Sequence, residues 1–321
     1  MSVTPLASAE RVDNRTAFAA ELAELARRDD RIVAVCNDSV GSSNLAAFRE
    51  EFPDRLFNVG IAEQNMVGVG AGLAIAGYIP FVCAAAPFLT GRALEQIKAD
   101  VAYGQTPVVL CGMSPGMAYG ELGPTHHSPE DFSWLRALPG LDIVVPADSS
   151  QTRGALRELV ASPRPAYVRI GRHKVPAVSD ASTPLERGRF AVARDGADVT
   201  FIAAGTEVSE ALVAADILRE RGIEARVLNA VYLDPLDVDA VRKAAAQTRG
   251  IVTAEEANVA GGLGAAVAAV VSELPRAERV PVSMAGLREF APTGSTDFLL
   301  EHFGLRAGAL VTRALEVMER G

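Results

Sequence analysis

The chain has 321 residues, 49 % of them hydrophobic and 22 % charged, with a net charge of −9; this is the profile of a compact protein long enough for two domains with their own cores. No Lys/Arg cluster stands out against that acidic balance, which excludes nucleic acid and anionic membrane as expected partners but not a small phosphorylated ligand, which needs only a few local cations. MSVTPLASAERVDNR has no apolar core and no eighteen apolar residues run uninterrupted, so neither a signal peptide nor a membrane span is expected, and the cytoplasm is the expected location.

Along the chain, helical and strand-like periods alternate. Arg15–Arg28 (RTAFAAELAELARR) spaces Ala, Phe and Leu as a helix does and ends in basic residues. RIVAVCNDS follows as a short apolar run closed by turn residues. Next come LFNVGIAEQNMVGVGAGLAIAGY, the strand-like IPFVCAA, a helix around Arg92–Tyr103, and three more strand-like runs, PVVLCGM, LDIVVPAD and PAYVRIG. Continuous apolar runs suit strands covered on both faces, so the expected class is α/β, with parallel sheets flanked by helices. Cys36, Cys83 and Cys111 lie inside such runs without C-x-x-C spacing; they are expected to be buried small hydrophobes in a reducing compartment.

Val175–Gly188 (VPAVSDASTPLERG) is polar, proline-bearing and aperiodic, which marks a linker between domains 1–180 and 189–321. Beyond it the rhythm restarts with DVTFIAAGT, VSEALVAADILRERG, IEARVLN, VDAVRKAAAQ and GIVTAEE, a second α/β unit.

Glu63 opens a segment of small apolar residues with Gly68, Gly70 and Gly72 at alternating positions. Glycine in a helix costs roughly 1 kcal/mol relative to alanine, so three of them ask for close packing, in the core or across a subunit interface. A carboxylate there fits a helix N-terminus as well as it fits a functional site. On the residues alone both readings stay open.

GIAEQNM followed by a small-residue helix resembles the pyrimidine-binding domain of the transketolase family. In that family the glutamate hydrogen-bonds the aminopyrimidine of thiamine diphosphate and promotes the tautomer that takes the proton from the thiazolium carbon; a dry site with a raised carboxyl pKa favours this. FLTGRALEQIK (Phe88–Lys98) resembles the family's aromatic segment, with Phe88 in the place of the stacking phenylalanine and Leu94 where many relatives carry an aromatic. YGELGPTHHSPED (Tyr119–Asp131) is similar to the loop G-E-D-G-P-T-H, whose histidine, here His126, sits near the thiazolium and the reacting hydroxyls. His127 is then a neighbour. No metal site is expected, because adjacent histidine side chains diverge and no further ligand is suitably spaced.

The resemblance places the sugar phosphate on Arg15, Ser43 and Arg172, guanidinium being suited to bidentate phosphate contacts, and Asp38 near the cofactor. Two departures concern substrate. Leu122 replaces an aspartate that contacts a donor hydroxyl, and Ser114 replaces a phosphate-holding histidine, which together imply an unusual sugar.

No G-D-G motif for Mg²⁺ and pyrophosphate occurs; Arg194-Asp195-Gly196 reads as a turn. The resemblance, from about Arg11 onward, covers only the family's last two domains, a thiamine-diphosphate-binding (pyrimidine) fold and a C-terminal domain expected to be structural and not catalytic. It implies a split transketolase, transferring a two-carbon ketol unit between sugar phosphates, in which an N-terminal partner subunit holds Mg²⁺ and the assembly is an α2β2 heterotetramer. The β subunit of a 2-oxoacid dehydrogenase decarboxylase component, a 1-deoxyxylulose-phosphate synthase half and a non-catalytic assembly subunit are the alternatives.

Overall fold

The computed structural model describes residues 10–180 and 183–321. In chain order its strands are β1 (Arg11–Val12), β2 (Ile32–Cys36), β3 (Leu56–Asn58), β4 (Ile79–Ala85), β5 (Val109–Met113), β6 (Asp142–Val144), β7 (Ala166–Ile170), β8 (Val175–Pro176), β9 (Ala191–Arg194), β10 (Val199–Ala203), β11 (Ala225–Asn229), β12 (Tyr232–Asp234), β13 (Ile251–Asn258) and β14 (Val282–Leu287). Seven form one sheet in the order β12-β6-β7-β5-β4-β2-β3, and five form a second, β14-β13-β10-β11-β9. Both sheets are parallel except at one edge, where β12 runs antiparallel to β6 and β9 antiparallel to β11. The class is α/β, as the apolar runs imply.

Strands β2, β4 and β5 are apolar at every position because helices cover both faces, and the alternation of side chains then sorts them into two cores. Ile32, Ala34 and Cys36, with Phe81 and Cys83, pack with Phe18 and Leu22 of the helix Asn14–Arg28. Their neighbours Val35, Val82 and Ala84 point the other way, to Met66 and Val67 of the helix Glu63–Ile75. The three cysteines stand side by side on the first face, Cys36 beside Cys83 and Cys83 beside Cys111. All are buried and unpaired, and burial pushes the Cys36 thiol up to about 12.

Among the three helix glycines, Gly70 has its packing reason within the chain: a Cβ there would come within 2.5 Å of Val82 Cγ2. Gly72 would meet nothing within 4 Å, and Gly68 only an Asp100 oxygen at 3.9 Å. That face of the helix is open, with Ile75 80 % exposed at its end.

The segment read as a linker is docked at its start. Val175 pairs with Val12, and the Val178 and Ser179 N–H groups donate to Asp148 Oδ2 at 2.8 and 2.7 Å. The helix around Arg92–Tyr103 contains widened, π-type turns at Phe88–Arg92 and Ile97–Tyr103, a departure from regular α geometry that often marks functional segments. Short edge elements such as β3, β9 and β12 carry no periodic signal long enough to read from sequence. No helix among the described residues is long and apolar enough to cross a membrane.

Candidate active site

Open parallel sheets place ligands at the carboxyl ends of their strands. Beyond those ends lie Asn37 after β2, Phe88 after β4, Ser114 after β5, and Arg172 after β7. Glu63 comes to the same edge as the first residue of its helix. It is 4 % exposed, yet it borders an open cleft lined by Ile61, Ala62, Gln64, Asn65 and Arg92.

Glu63 Oε1 accepts from Asn37 Nδ2 at 3.0 Å and from Arg92 Nη1 at 3.1 Å. Burial pushes the carboxyl up, but the Asn37 amide, its own backbone N–H and Arg92 outweigh that and hold it below the usual glutamate range. A raised pKa is therefore not what this structure shows. The Asn37 amide is the largest of the lowering influences, and Arg92, half exposed, adds a positive charge that favours the carboxylate.

Arg92 also lies over the Phe88 ring, 4.0 Å from its centroid. The other side of the constellation is His126, whose ring meets Phe88 edge-on at 5.3 Å and Tyr119 at 6.2 Å. The Thr125 hydroxyl and His126 Nδ1 are 3.0 Å apart. Arg172 stands 5.2 Å from the Tyr119 ring. The structure thus strings Glu63, Arg92, Phe88, His126, Tyr119 and Arg172 along one edge. Sequence reasoning assigns Arg92 and Tyr119 no role of their own, although the i, i+4 spacing of Phe88 and Arg92 on a helix is an available signal.

Asp38 is exposed and its carboxylate lies 3.4 Å from the Ser39 hydroxyl; Asn37, one residue earlier, is the group that touches Glu63. Arg15 is turned onto Asp13, with Nη2 to Oδ2 at 2.6 Å, and donates to the Ser42 carbonyl at 3.1 Å. Ser43 is fully buried with an unpartnered hydroxyl, as are Ser114 and the Asn14 amide. Ser114 holds a left-handed backbone, φ 54°. A Cβ on Gly171 would lie 3.7 Å from Asn14 Nδ2, so the Arg15 and Arg172 segments adjoin. His127 is buried, which pushes its pKa down. Leu94 is half buried against the core. Leu122 is 55 % exposed in a cleft of about 420 Å³ shared with Tyr119, Glu121, Arg172, Ser295 and Thr296.

A carboxylate at a cleft, an adjacent aromatic face and a second polar group on the same edge suit an amphipathic heteroaromatic ring, one edge hydrogen-bonded and one face stacked. Thiamine diphosphate's aminopyrimidine fits that donor set. Arg92 now engages both groups, so such a ring would take over part of its contacts. Among the described residues no group of His, Cys, Asp or Glu could hold a metal ion.

Comparison with known proteins gives the family. The family "Transketolase, pyrimidine binding domain" matches residues 10–178, and "Transketolase, C-terminal domain" matches residues 188–310. The chain is 44 % identical to one subunit of the apulose-4-phosphate transketolase of Phocaeicola vulgatus, over 95 % of this chain and 97 % of that one. It is 40 % identical to the 6-deoxy-6-sulfo-D-fructose transketolase subunit SqwH of a Clostridium species, over 93 % and 92 %. A solved structure described as a split gene transketolase, inactive beta4 tetramer, superposes with a TM-score of 0.86 at 36 % identity, over 96 % of this chain and 98 % of that one. These matches along nearly the whole chain show that the chain belongs to the transketolase family and carries its pyrimidine-binding and C-terminal domains.

Proposed function

We propose that this chain is the pyrimidine-side subunit of a split transketolase, moving a two-carbon ketol unit from a ketose phosphate to an aldose phosphate in the cytoplasm. The observation that carries the reading is the continuous line from buried Glu63 through Phe88 to His126 at one open sheet edge. The open Gly68/Gly72 face beside Glu63 supports a site completed by another chain.

In this reading Glu63 and Phe88 hold the aminopyrimidine of thiamine diphosphate, with Asp38 on the neighbouring loop, and an N-terminal partner subunit supplies Mg²⁺ and the pyrophosphate contacts within an α2β2 assembly. The cofactor, when bound, supplies the nucleophilic carbon and the electron sink. Glu63, its Oε1 held by Asn37 at 3.0 Å, would offer its carboxyl group to the ring nitrogen. His126, held through Nδ1, moves protons at Nε2 to and from substrate hydroxyls. Arg15, Ser43 and Arg172 take the phosphate, which competes with Asp13 for Arg15. Leu122 offers no hydrogen bond, so the donor is a sugar that does not need one there.

Purified chain is to be assayed alone and with its partner subunit against a ketose-phosphate panel that includes apulose 4-phosphate, together with 6-deoxy-6-sulfo-fructose. Turnover is expected only in the assembled complex. Robust ketol transfer by this chain alone would sink the shared-site reading.

A further inference from the structure

The loop that carries His126 meets Phe88 and Arg172 of its own domain and is hydrogen-bonded to the C-terminal domain. Its backbone closes at the base through Gly116 and Ser128, N–H to carbonyl at 3.3 and 2.7 Å, and then turns on itself at Leu122, Gly123 and His126. These bonds shape the loop but do not fix it to anything else. The anchors come from elsewhere. The Met117 N–H donates to Glu256 Oε1 at 2.6 Å. The Gly294 N–H donates to the Gly120 carbonyl at 3.1 Å, and the Asn258 N–H to the Pro129 carbonyl at 2.7 Å. All three partners lie beyond residue 250.

The contact is close as well as bonded. A Cβ on Gly116 would fall 2.6 Å from the Glu256 carboxyl carbon, and one on Gly120 would fall 2.3 Å from the Gly294 carbonyl oxygen. Gly123, in the left-handed region at φ +76°, would place a Cβ 2.7 Å from Thr293 Oγ1. Glu256 is itself fixed on two sides. Its second oxygen accepts from the Thr206 hydroxyl at 3.2 Å. Its carbonyl accepts at 2.9 Å from Arg169, which is paired with buried Asp131. A buried carboxylate with this many partners holds one geometry. The same seam brings Ser295 and Thr296 against Leu122 and Arg172 in the substrate-side cleft.

We propose that the C-terminal domain sets the position of the His126 loop, with Glu256 as the positioning residue through its hydrogen bond to the Met117 N–H. This rests on the transketolase reading for its catalytic consequence, but not for the bracing itself.

The test pairs amide exchange in the full chain with kinetics of the assembled complex. Glu256→Ala removes the acceptor. Gly120→Ala pushes the loop off Gly294 without touching Glu256, and decides the question if the first variant does not fold. Both are expected to speed exchange across residues 117–128 by about tenfold or more, with the sheet strands unchanged. In the complex, kcat should fall by roughly tenfold to a hundredfold with KM nearly constant, as misplacement of a reacting group does. Glu256→Gln keeps a carbonyl acceptor at the same place and should restore both readouts. Unchanged loop exchange in Gly120→Ala and in a folded Glu256→Ala overturns the bracing, and faster exchange with unchanged kcat overturns the positioning role. Glu256→Gln behaving like Glu256→Ala removes the hydrogen bond as its basis. If the wild-type complex transfers no ketol unit, the functional reading fails while the exchange data still decide the bracing.

Discussion

At Glu63 two opposing influences meet in one side chain. Burial favours the neutral acid, while Asn37 and Arg92 favour the carboxylate. Glu63→Gln keeps the shape and the Asn37 neighbour but removes the titratable carboxyl group. Ketol transfer in the assembled complex should drop by at least ~10²-fold, with the melting temperature of the chain little changed because Arg92 is half exposed; unchanged turnover would make Glu63 a helix-end carboxylate only. Leu122 is the second residue whose identity decides chemistry. Leu122→Asp restores an acceptor in the cleft beside Arg172, and the ratio of kcat/KM between donors differing at one hydroxyl should move by roughly tenfold. Much of this site is legible in the sequence. Glu63, Phe88 and His126 stand in motifs that keep their order, and the structure lines them up. Arg92 is hidden because an arginine on a helix is ordinarily a solvated charge, so its i, i+4 spacing from Phe88 does not by itself announce that it lies over the ring. Asn37 is masked by its charged neighbour Asp38, since a sequence does not show which residue after a strand turns inward.

At the scale of elements, the helix Glu63–Ile75 separates two kinds of glycine. Gly70→Ala drives a methyl into Val82 and should cost about 1–3 kcal/mol in urea unfolding of the chain. Gly72→Ala meets open space and should stabilise the isolated chain by about 0.5–1 kcal/mol, while weakening assembly with the partner; tighter assembly would argue against a subunit contact on that face. The sequence announces three glycines that need a reason but not which way each one faces, because that depends on the helix's rotation against β4.

The helix Leu263–Glu273 supplies a pH signature. Its first amides, Leu263 and Gly264, donate to the Glu255 carboxylate at 2.7 and 2.8 Å, yet burial dominates and pushes that carboxyl up to about 7. The folded state then binds a proton that the unfolded state releases from about pH 4.5 upward. The stabilisation is complete below pH 4.5 and is lost as pH rises through about 7, a fall of up to about 3 kcal/mol. Glu255→Gln should flatten that slope in denaturant titrations at pH 5 and pH 8, and a wild-type stability rising over this range would contradict the assignment.

For the molecule as a whole, the two units share one apolar core and one strand. A single apolar cluster runs from Met66 and Leu110 of the first unit to Ile202, Leu228 and Leu263 of the second. Strand β12, from beyond the linker, completes the first sheet against β6. Calorimetry of the full chain should therefore show one transition. A chain ending at residue 188 loses β12 and much of that cluster, and it should lack a cooperative melt and a near-UV dichroism signal. A well-folded fragment would show that the seam is a docking contact only. The alternation of apolar runs foretells two α/β units, but the exchange of a three-residue strand between them carries no sequence signal.

That exchanged strand also has a meaning for the gene. A stop codon between residues 188 and 232 would give one polypeptide a seven-stranded sheet without its edge and another the edge without its sheet. Such a division would leave the pairing of β12 with β6 to be formed between two polypeptides.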